Sequence, residues 1–397
     1  MKLVEVNTVA RGSTGTIMLS LARIVRERGG EAYTFSMARR DYIPADHAHI
    51  GTRAENLMNR LISGSTGISD VGCRRGTIKM LQRIDEIQPD VIHLHNLHGW
   101  YVNIPMLFRY IKERKIKTIW TLHDCWSFTA KCPHFTISGC QKWKDGCFGC
   151  PSLKDYPNTW VDQTRRMWKL KKKWFTGVED LTIVTPSQWL ADLVKQSFLK
   201  DYPVRVIHNG IDLDVFKPTP GDFRERYGIP ASKKILLGVA FGWGLRKGLD
   251  VFIELARRLD SEKYQIVLVG TDDKVDKQLP SSIISIHRTH DQKELAEIYT
   301  AADLFVNPTR EENYPTVNME AIACGTPVLT FRTGGSPEIV NEKIGSVVDC
   351  DDLDALEREI IRISNDMPYL EADCVLEAQD FDMHQRFEEY VALYEEN

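Results

Sequence analysis

Short runs of β-branched and apolar residues alternate with amphipathic stretches along the whole chain. That alternation constrains the fold most, because it encodes repeated strand–helix–strand units: an α/β chain whose parallel strands are covered by helices on both faces. In the first half, strands are expected at Leu3–Asn7, Ala32–Met37, Val91–Asn96, Thr118–Leu122 and Thr182–Pro186. The second half offers Val204–His208, Ile235–Ala240, Gln265–Val269, Ile283–His287, Leu304–Asn307 and Val328–Phe331. Helical patterns lie between them, as at Ile17–Arg28 and Leu249–Leu259. A chain of 397 residues is too long for one ordinary core and divides into two doubly wound domains. The seam is expected at Tyr202-Pro203, or after Asn209-Gly210-Ile211-Asp212, with Phe216 to Pro220 as linker. This gives an N-terminal domain over 1–202, a second over 203–380, and a terminal segment 381–397. In the last, Phe387, Tyr390, Val391 and Tyr394 share one helical stripe.

Composition removes several classes. With 43% hydrophobic and 27% charged residues the chain reads as globular, and no apolar run approaches the roughly 20 residues that span a bilayer. Glu5 interrupts the apolar start, so an export leader is not expected and a cytoplasmic location is. Nine cysteines in this length do not suggest a secreted disulfide scaffold. Charge is divided unevenly: residues 1–200 hold 30 Lys and Arg against 18 Asp and Glu, and the remainder 21 against 37. A basic N-terminal half suits an anionic partner, whether a phosphorylated acceptor or the inner membrane leaflet; alternatively the two halves attract each other. Nucleic acid is not expected, since no recognised module accompanies the charge. Doubly wound domains bind ligands at the carboxyl ends of their strands, so two facing edges would make a cleft that excludes water.

The sharpest motif runs from Arg310 to Pro327: a strand end, a loop carrying Glu312-Asn313-Tyr314, a helix from about Pro315 bearing Glu320, and a glycine stop. A carboxylate accepts two hydroxyl hydrogen bonds, so each glutamate can grip a vicinal diol. The helix start between them offers free amides to a diphosphate. Phe241 to Leu249 follows another strand and places Arg246 and Lys247 at its turn, cations suited to a leaving group whose negative charge grows. Thr333-Gly334-Gly335-Ser336-Pro337-Glu338 follows a third strand, and paired glycines admit close backbone approach. In the first half, Ala10 to Thr16 joins strand to helix with Gly12 and Gly15, and fits neither a dinucleotide fingerprint nor a Walker A loop. His93, His95, His98 and His123 cluster at strand ends, with His93 and His95 on one face.

Glu312, seven residues, then Glu320 leading to Cys324-Gly325-Thr326-Pro327 resembles the retaining glycosyltransferases of family 4, most closely those of colanic-acid and exopolysaccharide type. The resemblance covers nearly the whole chain. It implies GT-B architecture: two Rossmann-like domains facing a central cleft, with the C-terminal helix returning to the N-terminal domain. It implies a nucleotide sugar, UDP- or GDP-linked, as co-substrate, without catalytic metal, and a saccharide or lipid-linked acceptor. Carried onto this chain, His123, Glu312, Arg246 and Lys247 would be catalytic. Gly12, Gly15, Arg246, Lys247, Glu312, Asn313, Tyr314, Glu320, Gly334 and Gly335 would bind the donor. His95 and Asp124 would lie on the acceptor side, with Asp124 either orienting His123 or binding acceptor. One departure stands out: many relatives place the arginine about six residues before the lysine, where this chain has Phe241. The rival readings are another GT-B activity, an epimerase or phosphorylase, or a silent partner that binds nucleotide sugar or lipid. Retention of the charged motif residues disfavours both.

Two features fall outside these motifs. Cys132, Cys140, Cys147 and Cys150 form a cysteine-rich insertion over 131–151 that could hold a structural Zn²⁺, or remain as packed thiols or a labile disulfide. Arg165 to Phe175 interleaves basic and aromatic residues, as at an anionic membrane surface; the plainer reading is a surface helix with its aromatics tucked inward.

Overall fold

The computed structural model describes residues 1–37 and 46–396. The chain separates into two compact units, Met1–Ile207 with Phe387–Asn397, and His208–Arg386. In the first, β1 (Lys2–Val6), β2 (Glu31–Met37), β3 (His47–Ile50), β4 (Val91–Leu94), β5 (Lys117–Thr121), β6 (Leu181–Thr185) and β7 (Val204–Val206) form one sheet. Its order is β3-β2-β1-β4-β5-β6-β7, and every pairing is parallel. Helices on both faces leave the central strands buried at nearly every position, as in β4 and β5. Phe108, Trp120 and Phe175 meet at centroid distances of 4.7–5.4 Å beneath the sheet.

The second unit carries β8 (Lys234–Val239), β9 (Tyr264–Val269), β10 (Ile283–Ile286), β11 (Leu304–Asn307), β12 (Val328–Phe331) and β13 (Gly345–Val348). Their order is β10-β9-β8-β11-β12-β13, again parallel throughout. Both units are thus doubly wound and Rossmann-like. The order reverses between β1 and β4 in one and between β8 and β11 in the other, and ligands of such sheets bind at these reversals.

Three features differ from the sequence reading. The four-residue edge strands β3 and β13 were not expected; one holds two histidines and the other opens on glycine, so neither has a clear apolar run. The strand beginning at Val204, expected in the second domain, closes the first sheet against β6. Phe216 to Pro220 is no free linker: Phe216 is buried in the second core, and the Thr219 amide donates to Thr300 Oγ1 at 2.9 Å.

The last helix, Met383–Glu395, buries Phe387, Tyr390, Val391, Leu393 and Tyr394. From Phe387 onward it belongs to the first unit, where the Tyr394 hydroxyl lies 2.7 Å from His93 Nδ1.

Candidate functional site

In the second unit, the loops leaving β8, β11 and β12 share the carboxyl edge at the reversal. Gly248 draws two of them together. Its φ is +74°, and a Cβ there would lie 2.5 Å from the Pro308 carbonyl. The Arg246 carbonyl accepts from the Arg310 amide at 2.9 Å, and Arg246 Nη1 donates to the Glu311 carbonyl at 3.3 Å. Lys247 Nζ then pairs with a carboxylate oxygen of Glu312. The other Glu312 oxygen accepts from the Asn313 amide at 3.2 Å.

The third loop locks this arrangement. A Cβ on Gly334, whose φ is +54°, would fall 1.8 Å from the Glu312 carbonyl oxygen. The Gly335 amide donates to the Asn313 carbonyl at 2.7 Å, and Thr333 Oγ1 to the Thr309 carbonyl at 2.7 Å. The glycine pair therefore serves first to seat the Glu312 loop. Asn313 and Tyr314 are buried, and Tyr314 stacks on His208 at 4.8 Å. Pro315 then starts the helix Thr316–Ala323, so only the second half of the Glu312–Glu320 span is helical. Glu320 receives the Tyr299 hydroxyl at 3.0 Å, and burial pushes its carboxyl up to about 7 against that hydrogen bond. Phe241, at the position where many relatives carry arginine, projects fully into solvent.

In the first unit, Gly12 opens the helix Gly12–Glu27 with φ +66°, and a Cβ on Gly15 would lie 2.6 Å from the Ala10 carbonyl carbon. His95 and His123 stack at 5.5 Å with an interplanar angle of 11°, and His95 Nδ1 lies 3.2 Å from His123 Nε2. Burial lowers His123 to about 4 and His95 well below the usual imidazole value, so both rings are neutral at physiological pH. Asp124 makes other bonds: one oxygen lies 3.0 Å from His98 Nε2 and the other accepts from the Trp126 amide at 2.8 Å.

The sequence reading missed Glu5. Fully buried, it lies 3.4 Å from His95 Nε2 and 3.8 Å from His93 Nδ1. A lone charge within an apolar strand was the available signal. Ligand-type atoms of Glu5, His93 and His95 lie within 4.8 Å of one another. Yet His93 is already occupied on both sides, by Tyr394 at 2.7 Å and by Thr121 at 2.8 Å. His93 is thus held by hydrogen bonds, whereas both Glu5 oxygens and His95 Nε2 are buried without one.

The cysteine insertion and the basic-aromatic segment look different in three dimensions. All four thiols line one small cavity; Cys132 donates to Cys150, which lowers Cys150 to about 6 and raises Cys132. The donor set suits Zn²⁺, but no three of these sulfurs lie within 4.8 Å of one another among the described residues. In the helix Thr164–Phe175, Met167, Trp168, Lys171 and Phe175 are buried. Lys171 donates to the Trp126 carbonyl, its Nζ lies 3.4 Å from the Trp126 ring centroid, and burial lowers it to about 7. These aromatics build the core and are not displayed to a membrane.

Sequence profiles and relatives agree with this architecture. Residues 14–215 match the profile described as Glycosyltransferase Family 4, and 233–366 match Glycosyl transferases group 1. The chain belongs to glycosyltransferase family 4. It is 27% identical over 269 residues to the putative colanic acid biosynthesis glycosyl transferase WcaC of Escherichia coli, covering 66% of this chain and 64% of that protein. It is 26% identical over 301 residues to glycogen synthase of Streptococcus pneumoniae, covering 66% and 61%. The chain thus spans less than two thirds of the length of these relatives. Among solved structures, sucrose-phosphate synthase of Thermosynechococcus elongatus superposes with a TM-score of 0.70 at 17% identity, over 99% of this chain and 98% of that one. Anabaena HepE in complex with UDP gives 0.68 at 16%, over 99% of each chain. The lipopolysaccharide glycosyltransferase WaaG gives 0.66 at 16%, over the full length of both. These likenesses establish the GT-B fold.

Proposed function

We propose that the chain transfers a sugar, with retention of configuration, from a nucleotide diphosphate sugar to a saccharide or lipid-linked acceptor of cell-surface polysaccharide synthesis. The observation that carries this reading is the meeting of Lys247 and Glu312 at the strand reversal, with Glu320 on the helix that follows. A UDP- or GDP-sugar would lay its diphosphate on Lys247 and Arg246, its sugar hydroxyls on Glu312 and its ribose on Glu320. The first unit would contribute Gly12 and Gly15 beside the diphosphate, His123 at the reacting sugar, and His95 and Asp124 toward the acceptor. As the glycosidic bond breaks, charge accumulates on the β-phosphate, where a fixed cation typically lowers the barrier by about 3 kcal/mol. That phosphate then accepts the acceptor's proton on the same face. HepE, the relative by fold solved with UDP, supports the nucleotide class, and WcaC supports the pathway class. Glu320→Ala is expected to weaken donor binding, and His123→Ala to lower turnover. Unchanged kinetics in both variants, with a true donor and acceptor pair, would end this reading.

We further propose peripheral contact with an anionic membrane on the cytoplasmic side. No helix among the described residues is long and apolar enough to cross a bilayer. The helix Arg53–Thr66 is instead inverted: Asn56, Asn59, Ser63 and Gly64 face inward, while Leu57, Met58, Leu61 and Ile62 are 44–58% exposed. Arg53, Arg60, Arg74, Arg75 and Lys79 are exposed on this helix and the next, whereas Glu55 turns inward to the Gly76 amide at 3.4 Å. An apolar stripe flanked by cations suits an anionic lipid surface. A structural Zn²⁺ on Cys132, Cys140, Cys147 and Cys150 completes the proposal; it would tie the insertion down without entering the reaction.

A further inference from the structure

We infer that Glu5 and His95 are positioning residues, a buried relay that dictates which ring nitrogen of His123 carries its proton. The inference rests on the reading of His123 as the histidine at the reacting sugar. The relay lies on one face of the first sheet. Glu5 on β1 is directly opposite His93 on β4, and alternation places His95 on the same side. Tyr390 and Tyr394 of the last helix cover this face, at 5.4 and 5.7 Å from the His93 ring.

Two orphan groups meet here. Neither Glu5 oxygen has a hydrogen-bond partner, nor does His95 Nε2, and all three atoms are buried. Glu5 Oε2 and His95 Nε2 face each other at 3.4 Å. Buried polar atoms of this kind are rarely left unpaired, and a single proton between the two satisfies both. His93 does not compete for that proton, since Tyr394 and Thr121 hold its two nitrogens.

The direction of the chain follows from charge. A carboxylate at this depth would need several donors or a close cation. Burial raises the Glu5 carboxyl and outweighs the opposing charge of Arg26. Glu5 is therefore the neutral acid, and its hydroxyl donates to His95 Nε2. His95 must then carry its proton on Nδ1, which lies 3.2 Å from His123 Nε2 and donates to it. His123 is left with its proton on Nδ1. The reverse order, with His95 Nε2 as donor to a carboxylate, would leave a buried charge with a single hydrogen bond. A neutral His123 fixed in this tautomer already accepts a proton at Nε2 and does not act as a base there. That agrees with a transfer in which the leaving phosphate, not histidine, takes the acceptor's proton.

The test combines ring tautomers with kinetics on the full chain. Long-range ¹H–¹⁵N spectra of ¹⁵N-histidine-labelled protein should show His123 protonated on Nδ1 in the wild type. Glu5→Gln, whose amide also donates to His95, should keep that pattern and retain kcat within about twofold. Glu5→Leu should shift His123 toward the Nε2–H tautomer and lower kcat about tenfold with donor KM unchanged. Should Glu5→Leu not fold, His95→Phe, which keeps a ring and removes both nitrogens, is expected to do the same. An unchanged His123 tautomer in the folded variant overturns the relay, whatever happens to activity. So does a stoichiometric metal ion that the wild type holds and Glu5→Gln loses. A shifted tautomer with unchanged kcat leaves the relay standing and removes His123 from the chemistry.

Discussion

Burial raises the Glu320 carboxyl to about 7, so near neutral pH the side chain is divided between acid and carboxylate. Binding a ribose diol calls for the carboxylate; folding favours the acid. The sign follows from linkage. A carboxyl raised above its ordinary 4.5 contributes stability that is fully present below that value and is lost as pH rises through about 7. Glu320→Gln removes the titration, so it should gain stability on the wild type as pH rises from about 5 to 8, by about 1–3 kcal/mol. The same substitution loses the second acceptor oxygen and should weaken nucleotide-sugar binding about tenfold at pH 8. Wild-type affinity should fall from pH 8 to pH 6, while that of Glu320→Gln stays flat. Thermal melts and calorimetric titrations across this range measure both effects, and parallel pH curves for the two proteins would show that Glu320 does not bind the donor. Tyr299 sharpens the balance, because its hydroxyl, with that of Thr316, favours the carboxylate against burial.

Two helices of the first unit show why an apolar pattern does not by itself say which face meets solvent. In Thr164–Phe175 Trp168 and Phe175 turn inward and even Lys171 is buried; in Arg53–Thr66 it is Asn56, Asn59, Ser63 and Gly64 that turn inward. Asn59 Nδ2 donates to the Trp100 carbonyl at 2.8 Å, and the Asn56 and Asn59 side chains both meet the Cys73 sulfur. The polar side is thus spent on tertiary contacts, and the apolar side is left over. Leu57→Ser with Leu61→Ser should leave the melting temperature unchanged and abolish cosedimentation with phosphatidylglycerol vesicles. Wild-type binding should be weak on phosphatidylcholine and fall with salt. Equal vesicle binding by wild type and variant, or a wild-type dimer that the variant loses, would reassign this face. The cysteine insertion makes an element-scale prediction of its own. Protein purified without added zinc should carry about one equivalent, and chelation should lower the melting temperature. A metal content below about one tenth of an equivalent would leave the four thiols as packing.

At the scale of the chain, the sequence made the alternation of strands and helices and the second unit's motif loops legible, because both are local. Each β–α unit announces itself within about thirty residues, and Glu312, Asn313, Tyr314 and Glu320 lie on one stretch. What stayed hidden is what register and return of the chain create. Glu5 and His93 are partners across a sheet and 88 positions apart, and the aromatic cover over them arrives with the last helix. Short edge strands such as His47–Ile50 have too few residues to show a period. The return of the C-terminus gives the last prediction. Ending the chain after Asp382 removes Phe387, Tyr390, Val391, Leu393 and Tyr394, all buried within the first unit. Each such side chain contributes about 1.5–3 kcal/mol of burial, and the loss also opens the face where Glu5 and His93 are kept dry. The truncated protein should therefore unfold in two calorimetric transitions, with the first unit's lowered. The second unit, whose core includes Ile211 and Phe381 but nothing beyond, should keep its own transition. A single unshifted transition would show that the last helix adds nothing to the first unit.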